Sequence, residues 1–163
     1  MSVPHAPGHL AAMGRSRRPF LPGAIFHLTA RTIRRERLFT PALRSAALDE
    51  LADVTPRSRM RLLAVAIMSN HLHIVAQQGD QALSTLMQPL LRRLAHLLQK
   101  AHGLEGPIFW RHYAAVPCLH PGHARNAIAY SHLNPVRAGL CGDPSEYPWT
   151  SHPLYTAGAG TPV

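Results

Sequence analysis

Residues 61–76 read Arg-Leu-Leu-Ala-Val-Ala-Ile-Met-Ser-Asn-His-Leu-His-Ile-Val-Ala, and the remainder of the chain is best understood outward from them. Leu63, Val65 and Ile67 alternate along a first apolar run, which predicts a strand over 61–67 with those three on one face. Met68-Ser69-Asn70 reads as a tight turn into a second run from His71 to Ala76, so the stretch predicts a hairpin. Alternate residues of a strand share a face. His71 and His73 therefore project together while Leu72 packs behind them.

Downstream, Leu83, Leu86, Met87, Leu90, Leu91, Leu94, Leu97 and Leu98 keep helical spacing as far as Gly103. This predicts an amphipathic helix with a C-cap glycine, kinked at Pro89. Upstream, Leu43, Ala47, Leu48 and Leu51 predict a helix over about 41–54, with Thr40 as N-cap, Pro41 at its first position and Pro56 beyond its end. Before it, Pro22-Gly23 leads into Ala24–Ala30, a first strand of aromatic and β-branched residues. Pro107 to Pro117, with Phe109, Trp110 and Tyr113, suits a fourth strand. A last helix is expected from about Gly122 to Leu133, stopping there because Asn134 precedes Pro135. The order β-α-β-β-α-β is the split βαβ, or ferredoxin-like, pattern. The expected class is thus α+β: an antiparallel sheet with helices on one face, plus a C-terminal helix. One domain over 17–152 is expected, with a disordered arm at 1–16 and a flexible tail at 153–163.

Composition narrows the function. With 46% hydrophobic residues the chain can build a core, which argues against intrinsic disorder. Its longest apolar runs are too short for a bilayer and no leader pattern is visible, so a cytoplasmic protein without a membrane partner is expected. Cys118 and Cys141 read as free thiols, and Cys118 with His120 lacks partners at zinc spacing. Seventeen Lys and Arg against eight Asp and Glu give a net charge of +9, which favours a polyanion such as nucleic acid. Arg15, Arg17, Arg18, Arg31, Arg34, Arg35 and Arg37 gather much of that charge in one early segment. They suit phosphate contact, although a solvated basic segment would look the same.

Two groups could carry chemistry. Adjacent imidazoles such as His71 and His73 can hold a divalent cation. The pair alone is weak evidence, because twelve histidines in 163 residues produce roughly one such spacing by chance. Tyr130 sits on the last predicted helix with Asn134 four residues on, so the two share a face unless the turn distorts at Pro135. A tyrosine hydroxyl can attack a phosphodiester, with help from a metal or nearby cations to lower its high pKa. A tyrosine capping the core with its hydroxyl in water would share that pattern.

The surrounding residues separate these readings. Met68-Ser69-Asn70-His71-Leu72-His73-Ile74-Val75 resembles the M-P-N-H-x-H signature of the single-tyrosine HUH transposases (IS200-like). Tyr130-Ser131-His132-Leu133-Asn134-Pro135-Val136-Arg137-Ala138-Gly139 resembles that family's tyrosine helix, and Pro144–Ser151 its closing P-x-(D/E)-Y-P-W-S-S. Pro22–Arg31 is similar to its first strand, and Phe109–Tyr113 to its F-W/Q-x-R-Y stretch. The resemblance covers roughly residues 17–152 in five ordered blocks and is nearest the REP-associated tyrosine transposase branch. Ser69 replaces a usual proline, Ser131 a usual isoleucine, and Arg111 stands one place earlier than the family's arginine.

The resemblance implies a metal-dependent enzyme that nicks and rejoins single-stranded or hairpin DNA through a 5′-phosphotyrosine. Tyr130 would be the nucleophile, and His71 and His73 would bind Mg²⁺ or Mn²⁺ with Asn134 as third ligand. His132 would assist proton transfer, and Arg17, Arg18, Arg31, Arg34, Arg35, Arg92, Arg93, Arg111 and Arg137 would contact DNA. Such a protein would associate with the nucleoid as a monomer or homodimer. Two other readings are a catalytically silent hairpin-DNA-binding module derived from a transposase, and an RRM-like RNA binder. The RRM needs paired aromatics on central strands, and the first strand and the histidine hairpin do not show two.

Overall fold

The computed structural model describes residues 20–157 apart from Arg111. Its elements in chain order are β1 (Ile25–Arg31), α1 (Pro41–Ser58), β2 (Arg61–Ile67), β3 (His71–Gln77), α2 (Ser84–His102), β4 (Ala114–Cys118), α3 (Pro121–Arg137) and α4 (His152–Thr156), with short 3-10 turns at Ile33–Arg35 and Pro144–Glu146. The sheet order is β2-β3-β1-β4 and every neighbouring pair is antiparallel. This is the split βαβ arrangement expected, with β3 between the two strands that α1 connects.

The alternation of the strands sorts the side chains onto two faces. Phe26 and Leu28 from β1, Val65 and Ile67 from β2, and Leu72 and Ile74 from β3 meet Leu86, Leu90, Leu94 and Leu98 of α2 and Ala47, Leu51 and Val54 of α1 in the main core. The opposite face carries a smaller cluster, in which Ala127 of α3 packs on Ala64 and Val75 with Ile25, Leu63 and Ile128 beside them. Leu63 thus departs from the expected common face with Val65 and Ile67. A register shift between Leu62 and Ala64 breaks the alternation there and sends Leu63 to the α3 side.

Two helix boundaries also differ from expectation. Thr40 caps α1 as expected, accepting from the Leu43 N–H, but α1 runs through Pro56 to Ser58. It ends where Arg59 turns left-handed and the Ser58 hydroxyl accepts the Met60 N–H. α3 likewise continues through Pro135 to Arg137. A proline near a helix end removes one hydrogen bond, and the N–H groups of Ala138 and Leu140 close the last turn on Asn134 and Pro135. α2 is continuous across Pro89.

β4 is shorter than the expected strand. Phe109 makes only an isolated bridge to Thr32 before the chain turns, and regular pairing begins at Ala114. After α3, the Tyr147 hydroxyl donates to the Ile67 carbonyl at 2.9 Å, Thr150 bridges to Ala66, and Ser151 exchanges hydrogen bonds with Val65. These contacts fasten the closing segment to β2. Residues 153–156, expected to begin a loose tail, instead form most of α4, because Tyr155 bonds the Leu63 carbonyl and packs on His132. The expected arm at 1–16 lies outside the described residues. Among the described residues no helix is long and apolar enough to cross a membrane.

Candidate active site

The histidine hairpin is held from both ends of its turn. The Ser69 carbonyl accepts from the Phe39 N–H, and the Asn70 carbonyl accepts from both the N–H and hydroxyl of Thr32. The Asn70 amide nitrogen donates to the Arg35 carbonyl at 3.0 Å, which leaves its Oδ1 to accept from His71 Nδ1 at 2.6 Å. With the proton on Nδ1, His71 turns a bare Nε2 lone pair towards α3. Leu72 is fully buried behind the two imidazoles, as the alternation predicts.

α3 lies across this face, and its passage through Pro135 keeps Asn134 helical, one turn beyond Tyr130. Asn134 Oδ1 stands 3.3 Å from His71 Nε2. As oriented, two acceptors face one another; a cation between them, or rotation of the Asn134 amide, relieves the conflict. The Tyr130 ring lies edge-on to His73 with centroids 5.5 Å apart, and it is 40% exposed. The Arg137 guanidinium sits 5.2 Å from the centroid of that same ring. Tyr130, His73 and Arg137 line a cleft of about 650 Å³, together with Thr29, Arg31, His123 and Asn126.

His27 is the residue that the sequence reading did not assign. Its Nε2 lies 2.9 Å from His73 Nδ1, and the two rings stack at 5.1 Å. Strand register explains the contact. Thr29 pairs directly with His73, so His27 is its diagonal neighbour two residues along β1. If His73 Nδ1 donates to His27, the remaining His73 nitrogen carries a lone pair. That Nε2 is buried and has no hydrogen-bond partner in the protein. Burial, then Arg31, lowers the His71 pKa to about 4. Burial, then His71, His27 and Arg31, lowers that of His73 to about 3. Both imidazoles are therefore neutral near pH 7, the form that binds cations.

Among the described residues no three His, Cys, Asp or Glu side chains converge as a metal site. The donor set is two imidazole nitrogens and the Asn134 amide oxygen. An orphaned buried nitrogen and a facing pair of acceptors are what such a set leaves without its cation, so the residues fit one.

The other predicted residues divide. Arg31 and Arg137 stand in the cleft. Arg34 and Arg35 are exposed on the neighbouring 3-10 turn. Arg92 lines a separate hollow on the α2 side, and Arg93 is taken up by Glu50 and Asp53 of α1. Arg17, Arg18 and Arg111 lie outside the described residues. His132 is turned away from Tyr130. Two residues along a helix rotate a side chain by about half a turn, and His132 is buried with its Nε2 2.9 Å from the Ser151 hydroxyl and its ring against His152 and Tyr155.

Residues 21–123 match the family described as transposase IS200 like. The chain belongs to the IS200-like transposase family. The matched segment includes His71 and His73 and stops short of Tyr130 and Asn134. The fold of this IS200-like transposase is also similar to that of a REP-associated tyrosine transposase bound to a REP hairpin. That likeness has a TM-score of 0.72 at 20% identity and covers 90% of this chain and 87% of that one. A protein from Deinococcus radiodurans described as a transposase matches with a TM-score of 0.50 at 19% identity, over 74% of this chain and 97% of the other. No curated protein sequence matches the chain.

Proposed function

We propose that this IS200-like transposase cleaves and rejoins single-stranded DNA, with Tyr130 as the nucleophile and hairpin DNA as the substrate. The observation that carries the reading is the convergence of Tyr130, His71, His73 and Asn134 from two elements, with Tyr130 and His73 lining an open cleft and His71 joining His73 to Asn134. The hairpin bound by the structurally similar REP-associated transposase supports the choice of substrate.

His71 Nε2, His73 Nε2 and Asn134 Oδ1 would hold Mg²⁺ or Mn²⁺. When bound, the cation supplies Lewis-acid polarisation of the scissile phosphate and stabilises charge on the leaving oxygen. Arg31 and Arg137 bring positive charge to the cleft, and with the arginines of the nearby turn they hold the DNA backbone. In the first step the Tyr130 oxygen bonds the phosphorus and the bond to the 3′ oxygen breaks. This leaves a 5′-phosphotyrosine and a 3′-hydroxyl, which takes up the proton given by the phenol. In the second step a different 3′-hydroxyl attacks the phosphotyrosine and Tyr130 recovers its proton. One phosphodiester replaces another, so no external energy source is consumed.

His27 would fix the orientation of His73 by engaging its Nδ1. The reading does not use His132 or Arg93, whose partners lie elsewhere. The test is an incubation of end-labelled hairpin DNA with Mn²⁺ or EDTA, comparing wild type with Tyr130→Phe. A covalent protein–DNA adduct that needs the metal and disappears in Tyr130→Phe is expected. Tight binding with no adduct under any metal would instead favour the silent DNA-binding module.

A further inference from the structure

The molecule has a second hollow, of about 920 Å³, between α2 and the segment that leads into β4. Met87, Leu91 and Phe109 form its apolar lining, and Trp110, Gln88 and Arg92 stand at its margin. We propose that this hollow takes an unpaired nucleobase of the DNA, stacked on the Trp110 indole with Arg92 on an adjoining phosphate. The inference rests on the single-stranded DNA reading above and deepens it.

Three observations converge. First, Trp110 is 63% exposed, although the other tryptophan, Trp149, packs on Tyr147 and Arg44 and bonds Ser45. A large planar ring left in water beside an apolar hollow is a stacking platform, and bases offer the matching flat face. Second, the charge beside it is unspent. Arg93 is paired with Glu50 and Asp53, whereas among the described residues Arg92, one position earlier, pairs with no carboxylate. A free guanidinium next to an aromatic ring suits a nucleotide better than an apolar peptide, and Gln88 adds an amide that can meet the hydrogen-bonding edge of a base.

Third, the hollow and the tyrosine cleft flank the same end of β1. The Trp110 N–H donates to the Arg31 carbonyl at 2.8 Å, and Phe109 bridges to Thr32. Arg31 itself lines the cleft of Tyr130. One end of β1 thus separates the two sites. A single strand passing Tyr130 and crossing that end would bring an unpaired base to Trp110, whereas a blunt duplex has none to place there.

The full-length Trp149→Phe protein has Trp110 as its sole tryptophan and serves as reporter. Its emission is followed while a hairpin carrying a single-stranded tail, or the same hairpin made blunt, is titrated in. The tailed hairpin should quench Trp110 saturably and the blunt one should not. In the wild-type background, Trp110→Ala should weaken binding of the tailed hairpin about tenfold and leave the blunt hairpin unchanged, with Trp110→Tyr restoring most of the loss. Arg92→Gln should lower the salt dependence of tailed-hairpin binding by about one charge. An unquenched Trp110, or an unchanged ratio of tailed to blunt affinity in Trp110→Ala, overturns the proposal. Equal weakening for both hairpins, unrescued by Trp110→Tyr, also overturns it. The Tyr130 adduct assay on the same DNAs separates the two levels. An adduct with no Trp110 effect removes the pocket alone, whereas wild type that binds neither hairpin removes the DNA reading and the pocket together.

Discussion

The two faces of one sheet differ more from each other than any two separate parts of the molecule. On one face Phe26, Leu28, Leu72 and Ile74 are fully buried under α1 and α2. On the other, the residues between them are His27, Thr29, His71 and His73, and the cover is one helix and an open cleft. The same few residues of β1 and β3 thus serve two purposes through a period of two. The apolar face holds the strands rigid, and the polar face uses that rigidity to hold imidazoles at hydrogen-bond distance from their partners. Changes on the two faces should therefore separate stability from chemistry.

The sharpest separation is expected from Tyr130→Phe. It removes a hydroxyl at a half-exposed position, so adduct formation should vanish while the melting temperature stays within a degree or two of wild type. A large fall in melting temperature would mean that the cleft face also supports the fold. The converse is Ile74→Ala, which opens a cavity between β3 and the helices. It should cost about 2–5 kcal/mol in denaturant unfolding and leave residual chemistry in proportion to the folded fraction.

His27→Ala probes the cleft face without removing a proposed ligand. Loss of the partner of His73 Nδ1 should weaken Mn²⁺ binding, followed by calorimetry or electron paramagnetic resonance, by about 10–100-fold. An unchanged affinity would reduce His27 to packing. The smallest expected effect is on the outer side of α3. Burial, then His152, lowers the His132 pKa to about 4, against 6.5 for the ordinary imidazole. Between those values the unfolded chain binds the extra proton, so stability should fall as pH falls from about 6.5 towards 4, by on the order of 1–3 kcal/mol. Thermal melts at pH 7 and pH 5 check this, and the slope should be shallower in His132→Asn. A slope equal to wild type would show that His71 and His73, whose pKa values are also lowered, carry it.

The two faces also differ in how far they can be read from sequence. The apolar face was legible but for Leu63, which a register shift sends to the α3 side: alternation in 61–76 and helical spacing in 83–98 depend on local geometry, and both elements are where those patterns put them. On the polar face, His71 and His73 were legible as a pair for the same reason, and Tyr130 and Asn134 as one turn of a helix. His27 was not, because nothing near it in the chain marks it. Its partner arrives 46 positions later through the register of β1 against β3. The ends of α1 and α3 were misjudged because proline near a helix end costs one hydrogen bond, which tertiary contacts can outweigh.

What this sequence determined by itself is therefore whatever depends on neighbours within a turn or a strand: the order of elements, the common face of the two histidines, and the spacing of Tyr130 and Asn134. The tertiary structure alone decided which charges and imidazoles are free to act. It assigned Arg93 to Glu50 and Asp53, turned His132 towards Ser151, and set His27 against His73. A strand's periodicity states which way a side chain points, but its partner is chosen by register and packing between segments far apart in the chain.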